Sequence, residues 1–190
     1  DAGGGEADAV GLLIRSDYGT VSVTNSGLIG AAAYGDYASA TALWLLGGYG
    51  ASLYNSGSII ADGDGDRIAI SSIGGGGDVH IDNQGLIEGS VLLGDGDDSF
   101  YNGSDGIVHL EDAVVDMGLA GYYGNRFDNY GVVRVRGSSH IDMGSGFLLV
   151  PSANPYAFYN YGVIDMQDGS PDDVLYITGD FAGDGDINVD

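Results

Sequence analysis

VTNSGLI at 23–29, LYNSGSI at 53–59, IDNQGLI at 81–87, FDNYGVV at 127–133 and FYNYGVI at 158–164 are five copies of one phrase. Each has an apolar residue two before an Asn, then a Gly two after the Asn, then an apolar residue two after the Gly. A sixth copy, FYNGSDGIV at 100–108, carries two extra residues between Asn102 and Gly106. Two before the Asn stand Val23, Leu53, Ile81, Phe100, Phe127 and Phe158, and two after the Gly stand Ile29, Ile59, Ile87, Val108, Val133 and Ile164. All of these are large and apolar. Side chains spaced by two share one face of a strand, so Val21 and Val23 are read as inward and Ser22 and Thr24 as outward.

The Gly positions, Gly27, Gly57, Gly85, Gly106, Gly131 and Gly162, fall 30, 28, 21, 25 and 31 residues apart. That is too long for a train of hairpins and suits one circuit of a solenoid. Asn followed by Gly tolerates positive φ, and is read as the bend between two strands. Each circuit also holds a short apolar strand upstream of its bend, at 11–14, 42–46, 67–70, 91–93, 114–117 and 147–150. The stretch 38–46 (ASATALWLL) is read as a buried strand, with Trp44 in the core. Gly or Asp interrupts every window long enough for a helix. The expected fold is all-β, a right-handed parallel β-helix of about six coils forming one domain over 1–190. Like residues then stack on like, with Asn25, Asn55, Asn83, Asn102, Asn129 and Asn160 in a ladder, and at about 4.8 Å per coil the rod is roughly 30 Å long.

Composition narrows the function. The chain has 36 Gly, 3 Pro, no Cys and 44% hydrophobic residues, a content that folds rather than staying disordered. Its 28 acidic residues face five Arg and no Lys, a net charge of −23. Such a surface repels phosphate backbones and anionic bilayers, so nucleic acid is not an expected partner. The lack of Cys removes disulfides, thiolate metal sites and Cys nucleophiles together.

The repeated NSG-x-I phrase, the strand preceding it, VLLGDGDDSF at 91–100 and the closing DDVLYITGDFAGDGDINVD at 172–190 resemble passenger domains of bacterial autotransporters, over nearly the whole chain. That resemblance implies a passenger displayed outside a Gram-negative cell, anchored only through a C-terminal outer-membrane barrel that this sequence does not include. The implied role is a non-catalytic adhesin or structural stalk. Its partner would be a glycan or protein on a host or neighbouring cell, or a second copy of itself.

Three sets of residues are candidates for chemistry. Tyr130, Tyr159 and Tyr161 flank the repeated Asn and, with Arg134 and Arg136, are read as an outward ligand face. Asp62, Asp64 and Asp66, and Asp95, Asp97 and Asp98, alternate largely with Gly and offer hard oxygen ligands to calcium. GDGDDSF at 94–100 matches most of a calcium-binding nonapeptide, but the pattern fails nine residues on at Gly103, and no Glu closes an EF-hand loop. These Asp are therefore read first as solvated turn residues, with a calcium-stabilised repeat as an alternative and no other cofactor. The other alternative is a β-helical polysaccharide hydrolase or lyase, with Asp97/Asp98 or Asp172/Asp173 as half of a carboxylate pair. The chain lacks the His-Gly and Lys such enzymes use. His80, His109 and His140, about 30 residues apart, would meet at a metal only if they stacked on adjacent coils.

Overall fold

The computed structural model describes residues 7–121, 123–146 and 156–190, in which every element is a strand. Three parallel sheets of seven strands each run the length of the molecule. Asp8–Ser16, Ser39–Gly47, Asp66–Ser71, Ser90–Leu92, Val114–Asp116, Ser138–Asp142 and Val174–Thr178 form the first. Val21–Asn25, Ala51–Asn55, Val79–Asn83, Ser99–Asn102, Arg126–Asn129, Ala157–Asn160 and Asp180–Ala182 form the second. The third starts at Leu28–Ala33 and ends at Asp186–Val189. The chain visits the sheets in turn, so each strand pairs with its counterpart one circuit away. This is a parallel β-solenoid.

The register follows the repeated phrase residue for residue. Asn25, Asn55, Asn83, Asn102, Asn129 and Asn160 are successive partners, as are Ile29, Ile59, Ile87, Val108, Val133, Ile164 and Ile187. Strand Val21–Asn25 alternates buried and exposed with Val21 and Val23 inside. Three Phe rings stack along the interior, Phe100 on Phe127 at 4.5 Å and Phe127 on Phe158 at 4.7 Å between centroids. Offset or parallel aromatic contacts at such separations add to the area each ring removes from water.

The six Asn are also inside. Each Nδ2 donates to the Oδ1 of the next Asn, at 2.8, 2.8, 2.8, 2.7 and 2.7 Å along the row. Each also reaches a main-chain carbonyl of the following coil, as Asn25 does to Ser58 and Asn129 to Val163. A buried amide left unpaired costs stability, so the ladder exists only as a continuous chain.

The structure changes two details of the sequence reading. The repeated Gly do not adopt positive φ. Their need for a bare Cα is steric: a Cβ at Gly57, Gly85, Gly131 or Gly162 would collide with the carbonyl of the repeated Gly one coil back. Trp44 is not in the core. Leu43 and Leu45 point in, and Trp44 lies half-buried outside, its Nε1 donating to Ile73 O at 3.3 Å. The proposed strand at 147–150 lies outside the described residues, and Ser138–Asp142 holds that circuit's place in the first sheet. The roughly six coils expected are present, and in their closing row of strands, 174–189, FAGDGDI at 181–187 is a copy of the phrase with Gly183 in place of Asn. Asn160 therefore ends the ladder, on Asp186 O at 3.3 Å.

Candidate functional site

On the outer face of the second sheet, Tyr54, Asp82, Tyr101, Asp128, Tyr159 and Ala182 are successive partners, so Tyr and Asp alternate up the rod. Tyr130 and Tyr161, each one residue past its Asn, stand beside this column. Tyr101 packs on Tyr130 at 5.4 Å and Tyr130 stacks on Tyr161 at 5.0 Å. Tyr159 and Tyr161 have planes within 1° and centroids 6.2 Å apart. Arg126 lays its guanidinium over Tyr159, 4.6 Å from the ring centroid, while Asp128 holds it by two hydrogen bonds of 2.6 and 2.8 Å. The cation belonging to the aromatic face is thus Arg126, which the sequence did not single out; only the coil-to-coil register puts it beside Tyr159.

Arg134 and Arg136 lie instead on the third sheet, in Val132–Arg136. Arg134 pairs with Asp165 at 3.3 Å. Arg136 donates to the carbonyls of Val135, Asp165 and Gln167 and sits within 3.8 Å of the Asp165, Asp168 and Asp173 carboxylates. It ties down the 165–173 turn. Burial alone would raise the Asp165 pKa, but the Gln167 N–H and the two Arg outweigh it and hold that carboxyl below its ordinary value.

Asp62, Asp64 and Asp97 of the Asp-Gly runs are engaged locally. Asp62 accepts from the Tyr34 hydroxyl at 2.6 Å, and Asp64 from Gly35 N at 3.1 Å. Asp97 accepts from Tyr123 N and Gly124 N, both at 2.9 Å. Asp62, Asp64, Asp66, Asp95, Asp97 and Asp98 form no three-carboxylate group within reach of one ion among the described residues. The one such group there, Asp168, Asp172 and Asp173, has Arg136 against two of its members. The three His are on three different sheets: His80 bonds Ser99, His109 faces Glu88 and His140 bonds Thr178. A groove of about 610 Å³ runs beside the first sheet, lined in part by Ile73, Asp95, Asp116, Leu119 and Asp142. Asp116 and Asp142 are register partners there, each accepting from a Gly N–H two residues on.

Asp98 is a different case, because it is 1% exposed and points inward. Its Oδ1 accepts from Val79 N at 2.7 Å, its own N donates to Asn125 Oδ1 at 2.9 Å, and its Oδ2 is buried with no hydrogen-bond partner. Burial, and secondarily the charges of Asp78, Asp97 and Asp95, raise its pKa to about 7 against the pull of the Val79 N–H. In the adjacent coil Asn125 donates from Nδ2 to the Met117 and Met143 carbonyls. Because the folded pKa of Asp98 lies above the unfolded one, this group's contribution is fully present below about pH 4 and is lost as pH rises to about 7, a change of up to about 4 kcal/mol. Asp98→Asn should therefore gain stability relative to the parent chain across that window and keep a constant advantage above it. Parallel melting curves of the two chains from pH 4 to 8, with no growing gap, would contradict this.

Compared with known protein families, curated proteins and solved structures, the chain matches none. Fold and surface define a parallel β-solenoid with a buried amide ladder and an acidic, tyrosine-bearing outer face.

Proposed function

We propose that this chain is a non-catalytic rod displayed on a cell surface, an adhesin or structural stalk of the autotransporter-passenger kind, extending from the outer membrane of a Gram-negative bacterium. The observation that carries the reading is the axial register that keeps core residues, the amide ladder and an outward row of Tyr and Asp aligned from coil to coil, which makes a stiff body with one continuous side. The carboxylates that a hydrolase would use support it as well. Asp98 is turned into the core, while Asp173 accepts from Gly137 N and lies against Arg136. Its partners are glycans or proteins of a host or neighbouring cell, or other copies of the rod, and its charge disfavours nucleic acid.

Displayed on an otherwise non-adherent Gram-negative cell through a heterologous outer-membrane barrel, the chain should promote attachment to host cells or clumping of the bacteria. The purified chain should release neither reducing ends nor unsaturated products from polysaccharides. Display without attachment or clumping, or release of such products, would overturn the proposal.

A further inference from the structure

The geometry points to a carbohydrate-binding shelf at Tyr159 and Tyr161 that receives a neutral hexose ring of an extended glycan. This rests on the adhesive reading and supplies its ligand class. The two rings are parallel within 1° with centroids 6.2 Å apart, so they present two aligned aromatic faces close together on the outside of the rod. One side of that surface is backed by the preceding coil, through Arg126 under Tyr159 and Tyr130 under Tyr161. On the other side the aromatic column stops. Ala182 is the register partner of Tyr159, and Asp180 and Asp184 stand two residues to either side of it, both exposed.

A backed aromatic surface, a methyl-sized step and two flanking carboxylates match a hexose. The sugar's C–H face lies on the rings, and its rim hydroxyls donate to carboxylates that are acceptors only. Tyr101 and Tyr130 each have another ring packed along the axis, whereas the position after Tyr159 holds only Ala182, which is why the site falls at this step. Charge decides the class of glycan. Asp128, Asp180 and Asp184 surround the shelf and Arg126 is already held by Asp128, so a sulfated or sialylated chain meets repulsion without a cation to offset it.

Calorimetric titration of the chain with uncharged hexaoses of glucose, mannose and galactose, and with a sulfated hexaose, tests the shelf. Saturable binding of at least one uncharged hexaose and none of the sulfated one is expected. Tyr159→Ala and Tyr161→Ala should each weaken binding about tenfold, whereas Tyr161→Phe and the distant Tyr54→Ala should leave it nearly unchanged. Ala182→Leu keeps both rings and fills the space over Tyr159; it should weaken binding without lowering the melting temperature. The inference is overturned if no uncharged hexaose binds, if the sulfated one binds better, or if binding survives the Ala and Leu variants. Adhesion of the displayed chain that persists in those variants would remove the shelf while leaving the adhesive role intact.

Discussion

Ile87→Asp should abolish or severely weaken the fold, whereas Glu88→Lys, one residue along the same strand, should be tolerated. Ile87 is fully buried between its register partners Ile59 and Val108. No cation or donor is placed to meet a carboxylate in that row of aliphatic side chains. A charge there must either be buried unpaired or take up a proton, and a cavity opens as well; the combined cost is about 5 kcal/mol, comparable to the stability of a whole domain. Glu88 points outward and half-exposed, with His109 at 3.6 Å as its partner. Reversing its charge removes a surface pair worth at most about 1 kcal/mol. Thermal melting by circular dichroism reads the contrast, and equal melting temperatures would mean that the inward register is wrong.

Asn129→Asp is expected to be nearly as damaging, although it changes only an amide to a carboxylate. Asn129 sits in the interior of the ladder, receiving a hydrogen bond from Asn102 and giving one to Asn160. A carboxylate can still accept from Asn102, but it turns acceptor against acceptor at Asn160 Oδ1 and at Val163 O, with a buried charge added. Asn129→Ala removes the charge problem but takes the Asn129 donor from Asn160 Oδ1 and one acceptor from Asn102 Nδ2, which keeps its main-chain carbonyls, at a cost of about 1–3 kcal/mol. The expected order of stability at pH 7 is parent, then Ala, then Asp. At pH 4 the Asp variant should recover toward the Ala variant, because a protonated carboxyl donates again. An Ala variant as stable as the parent would show that the ladder contributes nothing.

The rod and its register were legible because a solenoid repeats its constraints. Asn and Gly two apart, bracketed by large apolar residues, recur often enough to be aligned by eye, and that alignment is the register of the second and third sheets. The first sheet was harder. Its circuits are joined by turns of variable length, and Ser138–Asp142 opens on two Ser and a His, with Ile141 as its only large apolar residue. Ser139 is nevertheless 1% exposed, its Oγ accepting from Ala113 N. A polar residue satisfied across coils looks like a loop in one dimension. Trp44 was misplaced for the opposite reason, since Ala42 and Leu43 both face inward and shift the alternation by one. The ligand face shows the same limit. Tyr159 and Tyr161 were readable from the repeat, but the change of partner from Arg134 and Arg136 to Arg126 depends on which coil stacks on which.

Gly183, standing where the ladder calls for an Asn, bears on the mechanics of the rod. The strands run across the long axis, so the contacts between coils are arranged in series along it, and a pull along the axis loads them one junction at a time. Asp180–Ala182 and Asp186–Val189 join their neighbours without an amide-to-amide rung, held on that row only by Asn160 Nδ2 on Asp186 O. That junction lacks the side-chain bond that links the other described coils along this row, so under tension it is expected to open before the amide-linked junctions behind it.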